Sequence, residues 1–273
     1  MMIKTRLGFI GAGNMAEAIA RGILSAKVYP LRALLASDIS PKRRNFFIRK
    51  LGIRSVDSNA FVARNSQTVI LSVKPQDMGE VLSEVGPLFT EKHLVISIAA
   101  GIGTAFIESF VKTEVPVVRT MPNAPILVGA GITCISPGTW ARGEHLNRVR
   151  KMLEPFSRVL EVEESLLHSV TALSGSGPAY FFYLVEALAE AGVGVGLSKE
   201  VAMELARHTA YGAGKMLLEL ADAASGPAEL RRKVTSPGGT TEAALSVMEG
   251  KKWKKIVAQA VRAAASRSRE LGK

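Results

Sequence analysis

The stretch Leu7-Gly-Phe-Ile-Gly-Ala-Gly-Asn-Met-Ala16 constrains the fold more tightly than any other part of the chain. A short apolar run, Arg6 to Ile10, meets Gly11, Gly13 and Ala16 in G-x-G-x-x-A spacing, and Met15 to Ser25 then has helical periodicity. Strand, glycine turn and helix in that order make a dinucleotide-binding fingerprint. Gly11 permits the tight turn, Gly13 lets backbone approach a pyrophosphate, and the small Ala16 lets helix and strand pack. The helix start, with Asn14 and Met15 in its first turn, presents free N–H groups and a positive dipole end to the phosphates. A tight turn without a ligand is the bland alternative. Gly192, Gly194 and Gly196 also alternate, but they follow a helix and are expected to form a plain loop.

Strand-like and helical runs alternate through the first part of the chain. Leu34 to Ser37 precedes Pro41 to Leu51, Thr68 to Val73 precedes Gln76 to Val85, Leu94 to Ala99 precedes Thr104 to Val111, and Val115 to Thr120 follows. Runs as continuously apolar as Thr68-Val-Ile-Leu-Ser-Val73 fit strands buried on both faces. The expected architecture is an N-terminal doubly wound (Rossmann) parallel sheet. Ligands of such sheets lie beyond the carboxyl ends of the strands. Val73-Lys74-Pro75, Ala99-Ala100-Gly101 and Thr120-Met-Pro-Asn123-Ala-Pro125 should therefore line one crevice with the glycine turn, although each also reads as an ordinary turn.

From Glu164 onward the strand pattern stops, and helices are expected over Leu166 to Leu173, Ala179 to Ala191, Lys199 to Ala223, Pro227 to Val234, Gly239 to Glu249 and Trp253 to Leu271. The domains are accordingly 1–162, nucleotide-binding, and 163–273, all-helical. Tyr180 to Glu190 is apolar round much of its circumference, more than so small a domain can bury alone. A dimer interface is the expected cover. Glu186 and Glu190 interrupt the apolar stretch Ala179 to Leu197, which argues for a buried helix of a soluble protein against a membrane span.

Composition excludes several other classes. A single cysteine, Cys134, allows no internal disulfide, and the chain opens without a signal or transit pattern, so a cytoplasmic location is expected. The four histidines lack metal-ligand spacing, and no metal is expected. The formal charge of +11 raises the question of nucleic acid, but the basic residues are spread over helix faces without interleaved aromatics. A basic field that gathers small anions, such as a dinucleotide phosphate and a carboxylate substrate, accounts for the excess as well, and most of it reads as solvated surface.

Cofactor choice is balanced on a few residues. Asp38 stands where a carboxylate holds the ribose 2′-OH of NAD, whereas Ser37, Lys42, Arg43 and Arg44 favour a 2′-phosphate. Farther along, Ser174-Gly-Ser-Gly-Pro-Ala-Tyr180 and Thr235-Ser-Pro-Gly-Gly-Thr-Thr-Glu242 each place hydroxyls and glycines before a helix, suited to clamping a carboxylate or simply to capping.

These motifs, with Ser72-Val-Lys-Pro75, Ser97-Ile-Ala-Ala-Gly101, Arg119-Thr-Met-Pro-Asn-Ala-Pro125 and Lys215-Met-Leu-Leu218, together resemble the pyrroline-5-carboxylate reductases nearly end to end. The resemblance implies reduction of 1-pyrroline-5-carboxylate to L-proline, the last step of proline biosynthesis. It also implies an intertwined homodimer, often a decamer, whose sites are each built from two chains. Asn59 matches a family residue near the 2′-phosphate, and the expected donor is NADPH with NADH as the alternative. Ser236, Gly239 and Thr240 are assigned to the substrate carboxylate, and Thr241, matching the family's substrate-contacting threonine, to the ring nitrogen. The chain departs from the family at Ala124, commonly Thr, and at Ala223 to Val234, where an acidic residue, a His-Pro-Gly turn and a Leu-Lys-Asp run are usual. A hydroxyacid-type dehydrogenase, with Lys74 or Lys215 as base, and a non-catalytic dinucleotide sensor are the competing readings.

Overall fold

The computed structural model describes residues 6–220 and 226–271. It divides into two compact units, one running to Ser176 and regaining the chain from Ala264 on, the other Gly177–Ala263.

In the first unit the elements are β1 (Leu7–Ile10), α1 (Asn14–Ser25), β2 (Leu34–Ser37), α2 (Pro41–Leu51), β3 (Arg54–Val56), α3 (Asn59–Arg64) and β4 (Thr68–Leu71). They continue with α4 (Met78–Val85), β5 (Leu94–Ser97), α5 (Thr104–Glu108), β6 (Val117–Met121), β7 (Gly131–Pro137), α6 (Gly143–Leu153), β8 (Ser157–Glu161) and α7 (Leu167–Val170). The strands form one sheet in the order β3-β2-β1-β4-β5-β6-β7-β8, parallel through β6. Order reverses at β1, the switch point where such sheets open a crevice.

Alternation along the strands feeds two cores. Leu7, Phe9, Ile70, Leu94, Ile96 and Val118 belong to one cluster with α1, α2 and α6. Ile10, Val69, Leu71, Val95 and Val117 turn to the other face, against residues of α3, α4 and α5. Both faces are covered, which is why these strands read as continuous apolar runs. Phe47 of α2 is fully buried and meets Phe9 edge-on at 6.4 Å, a side chain whose burial stabilises the unit by about 1.5–3 kcal/mol.

The sheet extends beyond the expected strands. β3, β7 and β8 join it, and β7 runs antiparallel to β6. The link from β6 to β7 is a single 3₁₀ segment, Ala124–Val128, closed by Gly129 at φ +72°, and so short a link cannot make the crossover of roughly a dozen residues that a parallel neighbour needs. α6 supplies a crossover, and β8 returns parallel to β7.

The second unit comprises α8 (Gly177–Gly194), α9 (Lys199–Glu219), α10 (Pro227–Lys233), α11 (Thr240–Gly250) and the first turns of α12 (Trp253–Glu270). The expected end of α9 at Ala223 falls in 221–225, outside the described residues. Gly192 and Gly194 lie in the last turn of α8, contrary to the plain loop expected of them. A Cβ at Gly192 would stand 3.0 Å from that of Ala202, so the glycine serves close packing of α8 on α9. Only Gly196, at φ +102°, has a turn conformation.

Among the described residues, little covers the apolar side chains in the first half of α8. Phe181, Phe182 and Tyr183 are 64%, 68% and 74% exposed, far more than a helix of an apolar core shows. The sheet ends at Glu161, beside the compositional boundary at Val162, but the compact unit continues to Ser176. Leu167 and Ala172 are buried there, and His168 Nδ1 lies 3.0 Å from Ser268 Oγ at the end of α12.

Candidate active site

Register brings the carboxyl ends of the parallel strands into one row, with Ile10 beside Ser37 and Leu71, and Leu71 beside Ser97. The residues that follow leave the sheet on one edge. Gly11 N–H donates to Ser37 O at 2.8 Å, and Ser72 N–H to Ile10 O at 2.8 Å. Gly11 has φ +93°, and a Cβ on it would stand 2.8 Å from the Ser72 carbonyl. Only glycine fits there. Ser72 Oγ donates to Gly11 O at 2.6 Å, a tether that the strand-end serine supplies and that sequence reasoning did not assign.

Gly13 is the N-cap of α1, and a Cβ on it would have nothing within 4 Å, so its bare face opens outward. Asn14 is exposed and Met15 half-buried in the first helical turn. Ala16 is fully buried between helix and sheet. Such a turn, closed behind and open in front of a helix N-terminus, fits the pyrophosphate of a dinucleotide.

Asp38 is anchored. Its Oδ2 accepts the Ala12 N–H at 2.7 Å and its Oδ1 the Ser40 N–H at 2.8 Å, which ties the β2–α2 turn to the glycine turn. Arg43 holds the same turn from outside. Its guanidinium donates to Ala12 O at 2.6 Å, Gly13 O at 3.2 Å and Glu17 Oε2 at 3.0 Å, and lies 4.8 Å from the Phe46 ring centre. Sequence reasoning counted Arg43 as a basic group facing a phosphate and missed this bracing role. Arg44 donates to the Asp38 and Ile39 carbonyls, and Lys42 is exposed. Ser37 Oγ donates to Asn59 Oδ1 at 2.8 Å, and Asn59 Nδ2 to Glu84 Oε2 at 3.1 Å.

The other strand-end segments lie on the same edge. Val73 and Lys74 lead into the 3₁₀ turn Pro75–Asp77, with Lys74 exposed. Ala99 is buried, Ala100 half-buried, and Gly101 has φ +85° in the loop entering α5. Asn123 is buried past the end of β6, where its Oδ1 accepts the Ile132 N–H at 3.0 Å.

In the second unit Gly239 is the N-cap of α11, with Thr240 exposed and Thr241 half-buried in the first turn. Helix geometry directs the Thr240 and Thr241 N–H groups out of that end. Gly238, at φ +69°, donates its N–H to Glu242 Oε2 at 2.6 Å, and Gly239 N–H donates to Ser236 O at 3.0 Å. The segment is thus a preformed turn carrying Ser236 and both threonines. The Ser174 segment differs from expectation. It forms a π-helical turn, Thr171–Gly175, in which Ser174 Oγ donates back to Val170 O at 3.2 Å. A hydroxyl committed to its own helix is a weaker anion clamp.

Strand order, switch point and glycine turn define a dinucleotide-binding α/β protein with an appended helical unit. Residues 6–101 match the family model "NADP oxidoreductase coenzyme F420-dependent", and residues 164–271 match "Pyrroline-5-carboxylate reductase dimerisation". The pyrroline-5-carboxylate reductase of Pseudomonas aeruginosa is 40% identical over 271 residues, covering 99% of this chain and 98% of that one. That of Mycobacterium tuberculosis is 39% identical, covering 97% and 96%. Among solved structures, Plasmodium falciparum pyrroline carboxylate reductase with NADP bound superposes with TM-score 0.90 at 30% identity over 100% of both chains. The Coxiella burnetii pyrroline-5-carboxylate reductase gives 0.89 at 36% identity, covering 99% of this chain and 100% of that one. This chain belongs to the pyrroline-5-carboxylate reductase family.

Proposed function

We propose that this chain reduces the cyclic imine 1-pyrroline-5-carboxylate to L-proline, the last step of proline biosynthesis, with NADPH as the hydride donor and NADH as the alternative. The 40% identity to a pyrroline-5-carboxylate reductase over nearly all of both chains carries the reading. When bound, the reduced nicotinamide supplies a hydride to the C=N carbon. Gly11, Gly13, Asn14 and Met15 would hold its pyrophosphate; Ser37, Asp38 and Asn59 its adenosine ribose; Val73, Lys74, Pro75, Ala99, Ala100, Gly101 and Asn123 the remainder along the strand ends.

Ser236, Gly239 and Thr240 bind the substrate carboxylate in this reading, through hydroxyls and the amide end of α11. Thr241 Oγ1 orients the ring nitrogen, where charge changes during reduction. A threonine hydroxyl is too weak an acid to protonate that nitrogen near neutrality, so the proton comes from water or arrives on an iminium substrate. Positioning is therefore the main contribution of these residues.

The exposed apolar faces of α8 and α9, with Tyr211 68% and Leu218 87% exposed, support a homodimer, which we propose can assemble further into a decamer. Within it, one chain's Ser236–Thr241 segment works with the other's glycine turn. Residues 1–162 bind dinucleotide, and 163–273 bind substrate and dimerise. A single buried cysteine, Cys134, fits a reducing compartment and supports a cytoplasmic enzyme acting on a small molecule. Basic residues spread over helix faces argue against nucleic acid as a partner, and among the described residues no helix is long and apolar enough to cross a membrane. The test is oxidation of NADPH on adding 1-pyrroline-5-carboxylate. Oxidation of hydroxyacids by NADP in its place would favour the dehydrogenase reading, and dinucleotide binding without turnover the sensor.

A further inference from the structure

An ion pair between a buried arginine and a half-buried glutamate lies outside the residues so far assigned to the reaction. Arg119 stands in the middle of β6, beside Ser97 of β5, and only 4% of it is exposed. Its Nη1 donates to Glu164 Oε1 at 3.2 Å. Glu164 follows β8, and its carboxylate also accepts the Thr104 N–H at 2.7 Å and, through Oε2, the Thr104 hydroxyl at 2.7 Å.

These contacts give α5 a cap from a residue remote in sequence. The N-cap position of α5 is Gly103, which has no side chain to accept an N–H. Glu164 fills that role with both oxygens, and Arg119 fixes where the carboxylate stands. The loop so pinned is the one that runs from β5 through Ala99, Ala100 and Gly101. The other side of Glu164 is fixed too. It opens the 3₁₀ turn Glu164–Leu166 that leads into α7, where His168 Nδ1 meets Ser268 Oγ. Arg119 and Arg269 both disfavour a proton on His168, after burial, which does so most, while Glu164 and the Ser268 contact favour one. The pair, the histidine and the end of α12 therefore form one electrostatically linked group.

We propose that Glu164 is a positioning residue for the dinucleotide: paired with Arg119, it sets the β5–α5 loop, and α7 and the His168–Ser268 contact hold Glu164 in place. This rests on the assignment of Ala99–Gly101 to the cofactor. The end of α12 thereby acts on cofactor affinity through His168 and α7.

The test measures NADPH dissociation constants by fluorescence titration, hydrogen exchange of the 99–104 amides without ligand, thermal stability, and KM for the imine. Glu164→Gln should weaken NADPH binding about tenfold, the scale of one lost charged hydrogen bond, and speed exchange over 99–104, with KM for the imine unchanged. Ser268→Ala should move binding and exchange in the same direction by less. Thr104→Val, which deletes only the hydroxyl contact, carries the test if Glu164→Gln folds poorly, and Thr104→Ser should restore affinity. Lower thermal stability with unchanged NADPH affinity and unchanged loop exchange would overturn the proposal and leave the pair merely structural. Wild-type protein that binds neither dinucleotide would sink the cofactor assignment and the affinity claim together; faster loop exchange in Glu164→Gln would still separate that failure from a failure of the capping geometry.

Discussion

Replacing Asp38 by Ser separates two tasks that the carboxylate performs at once. It accepts the Ala12 and Ser40 N–H groups, and it stands at the end of β2, where the 2′-substituent of an adenosine ribose is expected. Serine can still accept from Ser40 N–H, as a neutral hydroxyl, but is too short for Ala12, so one charged hydrogen bond is lost and the other loses its charge. That loss, about 1.5–3 kcal/mol, weakens both dinucleotides alike, because the glycine turn serves both. The second effect is selective. A carboxylate and a phosphate of charge about −2, some 6 Å apart with water-like screening, repel by ~1.4 kcal/mol, roughly a tenfold change in affinity. Asp38 is anchored by its two N–H partners and cannot swing away to relieve this. Dissociation constants for NADPH and NADH, measured at low salt for wild type and Asp38→Ser, should both rise, with the NADPH/NADH affinity ratio moving about tenfold toward NADPH. An unchanged ratio would refute the electrostatic part, leaving Asp38 as a brace between two turns.

Thr241→Ala should lower kcat/KM for the imine by about 1–3 kcal/mol with NADPH affinity unchanged; steady-state kinetics with both substrates decides, and an unaffected kcat/KM removes the hydroxyl from the reaction. Co-expression of a chain carrying a bulky residue at Gly13 with one carrying Ser236→Ala and Thr241→Ala should restore a fraction of wild-type activity, since one site of each mixed dimer is assembled from intact halves. Verified heterodimers without activity would show that sites do not combine chains. His145 and His168 are both held below the ordinary 6.5, chiefly by burial. The unfolded chain then takes up protons first, so their contribution to stability is whole above about pH 6.5 and falls as pH drops toward the folded values. Melting temperatures between about pH 7.5 and pH 5 should show the fall, and His168→Gln should flatten part of it.

Features written within a few residues of one another were legible in the sequence. The glycine turn, the doubly buried strands and the helical second half all announce themselves through local spacing, and the structure has them. β7 and β8 did not, because their buried positions include polar side chains: Thr133 Oγ1 and Ser157 Oγ satisfy each other at 2.8 Å inside the sheet. What sequence distance hides is partnership. Asp38 meets a backbone amide 26 residues away, and Glu164 meets Arg119 across 45 and Thr104 across 60. No periodicity marks such pairs. Arg43 shows the same limit, since its charge was visible but its commitment to the carbonyls of Ala12 and Gly13 was not.

The return of the chain from Ala264 onward to the strand unit has a consequence for how the protein is made. During synthesis the sheet, with its local βα connections, can begin to form as soon as β6 has emerged. The surface that receives Ala265 and Ser268, both buried, remains uncovered until almost the whole helical half has been translated. His168 waits a hundred residues for its partner Ser268. The first unit to start folding is therefore among the last to finish, and deleting the final turns of α12 should show itself first as exposed surface and faster unfolding in the nucleotide-binding half.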